Sequence, residues 1–229
     1  MRVSSAIRTA LMFAAVAFAS NAQASPIRYE LTGTGTGKIG NTSFTDANID
    51  MVAIGDTADV VSIVNMGLTF YATPFSTFTI AIGGIGTATI TDISELFVIP
   101  QAVPGFTTVP GVVFGRTDNP PDLTGITGIG FNVSNALAGY TGATGIGPIT
   151  DKGAFGFIQG CSTPGHDSCI HTSLGLLSFS SNPNTPQDVT SQTTFTAATV
   201  PEPATLFLFG TGAAALFGRR SRARRAKRM

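Results

Sequence analysis

Long stretches of this chain alternate apolar side chains with small or polar ones, which is the pattern of a β-strand that buries one face. The alternation is clearest over residues 60–71, which we predict to form one strand. Over residues 32–38 it becomes an alternation of Thr with Gly, whose bare side allows another backbone to approach closely. Gly83-Gly84 separates two further stretches and predicts a hairpin. This periodicity restricts the chain to a fold built from strands.

The number and spacing of these stretches indicate the fold class. We count about ten to twelve short strand patterns ended by Gly or Pro, and no amphipathic helix between the two ends of the chain. The scarcity of Lys and Glu also argues against long exposed helices. Many short strands with tight turns predict an all-β fold, most simply an antiparallel β-sandwich. A β-solenoid is the alternative, although no regular repeat of about 20–50 residues recurs.

The first 24 residues have the parts of a secretory signal peptide. Two arginines precede an apolar run over residues 10–19, which is too short to be read first as a membrane span. Ala22 and Ala24 supply the small side chains that signal peptidase requires, so we predict cleavage before Ser25. Residues 1–24 are therefore expected to form a signal helix that is removed after export.

The C-terminal end combines a second apolar run with a basic cluster. Residues 204–218 would reach roughly 22 Å as a helix, against a hydrocarbon core of about 30 Å. They can form a short transmembrane helix if the flanking basic side chains snorkel and the bilayer thins locally. Basic residues beside a span stay in the cytoplasm, so everything before residue 201 is expected outside. The basic end, residues 219–229, includes Arg219, Arg220, Arg222, Arg224 and Arg225.

A Pro-Glu-Pro sequence directly precedes this apolar run. Pro201, Glu202 and Pro203, followed by the short span and the terminal arginine cluster, resemble the PEP-CTERM sorting signal of Gram-negative bacteria. The resemblance implies recognition near the membrane surface and removal of the tail by exosortase, a membrane-embedded transpeptidase. The same kind of tail is also labelled an ice-binding protein C-terminal domain, which describes where the tail occurs and no activity. The chain then divides into a signal peptide (1–24), an all-β exported domain (25–199) and a sorting tail (200–229).

The basic residues are concentrated at the two ends of the chain. Between residues 25 and 203, four Lys or Arg residues oppose all 13 acidic residues, which gives this region a formal net charge of −9. Such a surface repels nucleic acids and other polyanions, so no nucleic-acid partner is expected. It favours solubility and attracts cations.

The chain has two cysteines, Cys161 and Cys169, and both lie in the segment expected to be exported. A cysteine pair in an oxidising compartment is most simply a disulfide, and closing so short a loop would contribute about 2–3 kcal/mol. The alternatives are free thiols, a zinc site that adds His166 and His171, or a Cys–His nucleophilic pair. The spacing matches no zinc module and no catalytic signature surrounds the pair, so we expect no metal and no cofactor.

Two groups of acids and one row of threonines are the remaining candidates for binding. Neither acidic group has the register of a calcium loop, so we interpret both as solvated acids on strand ends. A regular Thr row can order water and bind ice, but one row is narrow and Thr is common in ordinary strands. We therefore predict no catalytic residues. The residues concerned are Asp46, Asp50, Asp56 and Asp59, then Asp118 and Asp122, and the row Thr87, Thr89 and Thr91.

Together these patterns predict an exported, non-enzymatic protein of the cell envelope or extracellular matrix. It would be held briefly in the inner membrane, processed by signal peptidase and exosortase, and then reach the outer envelope or a biofilm matrix. The acidic, Gly- and Thr-rich surface favours an adhesive, matrix or carbohydrate-binding role, with exopolysaccharide as a partner. One alternative is a secreted hydrolase whose site is assembled from scattered acids, and another is a membrane-tethered protein that keeps its tail.

Overall fold

The computed structural model describes residues 25–65, 67–103, 107–116, 127–155, 170–180 and 191–201. Within these residues the chain forms twelve β-strands and two single-turn 3-10 helices. The strands are β1 (Pro26–Ile39), β2 (Thr42–Asp56), β3 (Val61–Asn65), β4 (Leu68–Ile82), β5 (Gly86–Thr89), β6 (Ser94–Ile99), β7 (Gly111–Arg116), β8 (Thr127–Val133), β9 (Ile146–Phe155), β10 (Ile170–Thr172), β11 (Gly175–Phe179) and β12 (Gln192–Thr199).

Eight of these strands close into an antiparallel barrel. Neighbouring strands are hydrogen-bonded in the order β1-β12-β9-β8-β7-β6-β4-β2, and β2 pairs with β1 to complete the ring. The β1–β2 contact is long, extending from Pro26 opposite Asp56 to Ile39 opposite Thr42. Closure removes the unpaired strand edges that an open sheet would present.

The interior of the barrel is filled by large side chains. Alternate residues on all eight strands belong to one buried cluster, as expected when every second residue faces inward. Phe114 is fully buried, and its ring centroid lies 5.7 Å from that of Phe75, 5.8 Å from Phe78 and 6.2 Å from Phe195. The aromatic residues of the sequence therefore form a packed core within the ring.

The long strands β1, β2 and β4 continue beyond the barrel and contribute to a second ring. The last part of β1, Gly37–Ile39, pairs with β11 in place of β12, and the last part of β4 pairs with β5. A bridge between Ile90 and Thr172 then connects the β5 side to β10. The β10–β11 hairpin thus crosses from β1 to β5, and its buried Ile170 and Leu177 belong to the same core as the barrel.

A smaller buried cluster lies on the opposite face of β4 and of β6 to β9. It contains Phe97, Val113 and Phe131 together with their neighbours. Ile63 of β3 and Val103 of the β6–β7 connection pack against it. Part of the outer wall is therefore covered by the chain itself, whereas the outer faces of β1 and β5 carry mostly polar side chains.

The all-β prediction is confirmed, but the predicted β-sandwich is wrong, because the strands form a closed barrel; the solenoid alternative is also wrong. The physical reason lies in the length of three strands. β1 has 14 residues, and β2 and β4 have 15 each. β1 and β4 pair with different neighbours at their two ends, and β2 pairs with β1 along its whole length and with β4 over its second half, so one continuous sheet bends around onto itself.

The predicted signal helix (1–24) and transmembrane helix (204–218) lie outside the described residues. Within the described ranges, no helix has the length and apolar character needed to cross a bilayer.

Candidate functional site

Most of the residues predicted to take part in processing lie outside the described part of the chain. They are Ala22, Ala24, Glu202, Pro203 and the basic end at Arg219, Arg220, Arg222, Arg224 and Arg225. Cys161 and Cys169 also lie outside it, so the disulfide stays a prediction. Of this set, Ser25 and Pro201 are described.

Ser25 and Pro201 border the same end of the barrel. The first and last strands pair with each other, with Ile27 opposite Thr199. The amide of Val200 donates to the carbonyl oxygen of Pro26 at 2.8 Å, and Pro201 is exposed. The predicted signal-peptidase position and the first residue of the Pro-Glu-Pro sequence therefore leave the barrel side by side.

The β8–β9 connection covers this end of the barrel. Leu137 and Tyr140 from that connection are buried in the main core. The hydroxyl of Tyr29 donates to the carbonyl oxygen of Gly142 at 2.6 Å, and burial, with a smaller effect from the Asp56 carboxylate, raises the pKa of Tyr29 to about 12. The Tyr140 hydroxyl donates to the carbonyl oxygen of Thr144, and its burial also raises its pKa. Both phenols are thus neutral, structural groups that fasten the connection to the barrel.

A groove of about 560 Å³ runs across the outer face of four strands, β1, β2, β4 and β5. We call it the outer groove. The strand register places Thr32, Asp50, Ala81 and Thr87 in one row across these strands. Beside this row lie Thr34, Asn48, Gly83 and Gly86, together with the backbone of Gly33, Ile49 and Ile82. Small residues therefore form its floor, and hydroxyl, amide and carboxylate groups line it.

Asp50 is the charged residue of the outer groove. Its Oδ1 atom is buried and has no hydrogen-bond partner among the described residues. Burial raises the pKa of Asp50 above its usual range; the Glu30 carboxylate raises it further, and Arg28 lowers it. Arg28 forms an ion pair with Glu30, so much of its positive charge is already compensated. The groove thus holds a carboxylate whose negative charge the fold does not satisfy.

A second polar feature fastens the β10–β11 hairpin to the barrel. The carboxylate of Asp92 accepts a hydrogen bond from the backbone amide of His171 at 2.7 Å and lies 3.0 Å from its Nδ1 atom. Thr91 donates its amide to the carbonyl oxygen of His171, which completes the attachment. The His171 side chain is 44% exposed, so the pair lies at the surface of the protein.

Replacing Asp92 with alanine should loosen this hairpin. The substitution removes the acceptor of two partly buried hydrogen bonds from His171, and bonds to a charged group contribute about 1–3 kcal/mol. We expect that loss in urea unfolding, with faster amide exchange at Thr91 and Ser173. Asp92→Asn keeps one acceptor oxygen and should lose less. Unchanged exchange in Asp92→Ala would mean that other contacts hold the hairpin.

The remaining predicted clusters are not brought together. Asp46 contacts Thr36, Asp56 caps the 3-10 turn at Ala58, and Asp59 is exposed. Asp46 and Asp56 are ten residues apart on one extended strand, about 33 Å. Asp118, Asp122 and His166 lie outside the described residues. Within the ranges that are described, no three His, Cys, Asp or Glu side chains are grouped as metal ligands would be.

The fold and the position of the C-terminal segment define the class of this protein as an all-β barrel that precedes a tail. A family model for the PEP-CTERM protein-sorting motif matches residues 199–225. The chain carries this motif, which confirms the resemblance drawn from Pro201, Glu202 and Pro203 and implies export, sorting at the membrane and processing by exosortase. No curated protein and no solved structure matches the chain.

Proposed function

We propose that the barrel is a non-enzymatic, carbohydrate-binding component of the cell envelope or extracellular matrix, and that it binds exopolysaccharide through its outer surface. The observation that carries the proposal is the outer groove. Side chains fill the barrel interior and the β8–β9 connection covers one end, so a ligand is best accommodated outside. The groove offers hydroxyl, amide and carboxylate groups, which are the partners that sugar hydroxyls use.

The attachment of the tail fits this role. The chain leaves the barrel beside Pro26, whereas Asp50 lies six residues along β2 from the end of that strand at Asp56. That separation is about 20 Å along an extended strand. The groove would therefore be held away from the membrane while the precursor is tethered, and it would remain available after the tail is removed.

Binding to the matrix polysaccharide of the producing bacterium tests this proposal. The exported protein, purified from the envelope fraction, should sediment with polysaccharide released from the same cells, and a globular protein of similar size and charge should not. For a polysaccharide that carries positive charge, the retained fraction should fall as salt is added, because the barrel is acidic and salt screens the attraction. Complete recovery of the barrel in the supernatant at low salt would refute the carbohydrate-binding role.

A secreted hydrolase is the second candidate, and the Asp92–His171 pair favours it. A carboxylate that orients an imidazole is a component of many hydrolytic sites. This candidate predicts that the purified protein shortens the polysaccharide with time and that Asp92→Asn abolishes the shortening. An increase in reducing ends with the wild-type protein, absent in the variant, would favour the enzyme over the binding protein.

A further inference from the structure

We propose that the outer groove binds an oligosaccharide that carries protonated amines, with the Asp50 carboxylate as the anchor for one amine. The inference rests on the proposed carbohydrate-binding function and names its ligand class. The sequence suggested that Asp50 is an ordinary solvated acid, whereas in this proposal Asp50 determines the specificity for aminated saccharides.

The first argument is that the fold leaves Asp50 unsatisfied. A carboxylate oxygen that is buried without a hydrogen-bond partner lowers the stability of the folded state. The neighbouring Glu30 carboxylate adds repulsion, and Arg28 is already engaged by Glu30. A bound ammonium group that contacts the accessible side of the carboxylate would supply the missing positive charge, and its charge-assisted hydrogen bond would offset part of the cost of the buried oxygen.

The second argument is the sign of the charge around the groove. Asp50 is the one ionisable residue among those that line it, and none of the lining residues is basic. Residues 25–203 contain 13 acidic and four basic residues, which gives them a formal net charge of −9. An anionic polysaccharide would be repelled, whereas an aminated one would be attracted before it makes contact.

The third argument is shape. Four adjacent strands at about 4.8 Å spacing give the row from Thr32 to Thr87 a length of about 14 Å. Ala81 and Gly83 keep the floor low between the Thr side chains. The volume of about 560 Å³ lies within the range of small-molecule sites. Thr32, Thr34 and Thr87 can exchange hydrogen bonds with ring hydroxyls on either side of the amine.

Calorimetric titration of the exported protein tests the ligand class. The probes are a glucosamine oligomer, the fully N-acetylated oligomer of the same length, and spermidine. We expect the glucosamine oligomer to bind about tenfold more tightly than either of the other two, because it alone combines the ammonium groups with ring hydroxyls. Equal binding of the acetylated oligomer would overturn the role of the amine. Equal binding of spermidine would overturn the saccharide.

The variants Asp50→Asn and Asp59→Asn test the anchor. Both remove one negative charge from the same barrel, but Asp59 is exposed and lies outside the groove. Asp50→Asn should weaken glucosamine-oligomer binding by about tenfold or more, and Asp59→Asn by less than about twofold. Equal weakening in both variants would show that binding depends only on the net charge of the barrel, and it would overturn the proposal. If Asp50→Asn still sediments with the matrix polysaccharide and also binds the oligomer as the wild type does, the groove proposal fails while the carbohydrate-binding function stands.

Thermal melting of Asp50→Asn shows whether a loss of ligand binding comes from the missing carboxylate or from a less stable fold. Because the pKa of Asp50 is raised in the folded barrel, folding penalises the ionised carboxylate, and this penalty grows as the pH rises through the folded pKa. Asp50→Asn should therefore melt at the same temperature as the wild type or higher at about pH 7, and the difference should shrink towards about pH 4. A variant that melts well below the wild type at neutral pH would make Asp50 a structural residue and overturn its assignment as a ligand anchor.

Discussion

Gly153→Ala should destabilise the barrel by about 3 kcal/mol or more, measured by chemical unfolding of the exported protein. Gly153 lies on β9 opposite Asn132 of β8. The hydroxyl of Thr193, on the far side of β9, reaches over the glycine and donates to the carbonyl oxygen of Phe131 at 2.9 Å. A methyl group at position 153 would lie 1.8 Å from that hydroxyl and 2.4 Å from that carbonyl oxygen, so neither can stay in place.

The clash at Gly153 also breaks a buried polar network. The side-chain amide nitrogen of Asn132 (Nδ2) donates to the hydroxyl and to the backbone carbonyl oxygen of Thr193, and both residues are buried. Leaving such groups without partners adds to the steric cost. Gly147→Ala is the matched control, because it is on the same strand and its new methyl group would meet nothing within 4 Å. Similar losses for the two variants would show that the network does not hold β8, β9 and β12 together.

Phe114→Ala should cost about 3–5 kcal/mol, because it removes a fully buried ring from the aromatic cluster inside the barrel. Phe75, Phe78 and Phe195 surround this ring and come from strands on different sides of the barrel. These strands are held in position by backbone pairing, so they cannot collapse fully into the space that is left. Equilibrium unfolding in urea measures the loss.

Two further variants make the Phe114 prediction specific. Phe114→Leu keeps most of the buried apolar volume and should lose clearly less stability than the alanine variant. Val64→Ala, at a position that is 71% exposed, should change stability by less than about 0.5 kcal/mol. If Phe114→Ala were no worse than Val64→Ala, the interior of the ring would not be the core.

The local pattern of the sequence predicted many strands but placed one boundary wrongly. The predicted strand over residues 60–71 is two strands, β3 and β4, with Gly67 in the left-handed region at φ 75° between them. The alternation continues through the turn, so periodicity alone hides it. The hairpin at Gly83-Gly84 is confirmed. The predicted close approach of another backbone to the Thr-Gly repeat is also confirmed, because a methyl group on Gly37 would lie 2.2 Å from the carbonyl oxygen of Ser178.

The choice between sandwich and barrel depends on contacts that no local pattern contains. β1 and β12 are separated by most of the chain, yet they are neighbours in the ring. A sandwich and a barrel need the same alternation of inward and outward residues, so periodicity cannot separate them. Strand length was the available signal. The strand pattern over residues 43–54 predicts an end at Gly55, but β2 continues to Asp56, because Gly55 lets the strand pass close to Tyr29 and Thr73.

The candidate site could not be predicted from the sequence either. The sequence groups Asp50 with Asp46, Asp56 and Asp59, because the four are close along the chain. The structure separates them and places Asp50 beside Thr32, Ala81 and Thr87, which are brought together by register. The Asp92–His171 pair joins residues 79 positions apart. The sorting tail was predictable because its three parts are contiguous in sequence.

Intact-mass measurement of the mature protein tests the central claim of an exported barrel sorted by its tail. The protein should be isolated from cells with and without exosortase. We expect the mature chain of the complete cells to begin at Ser25 and to lack Arg219–Met229, and the chain from exosortase-deficient cells to keep those residues and stay in the membrane fraction. A mature chain that retains Arg219–Met229 in both strains would contradict the claim.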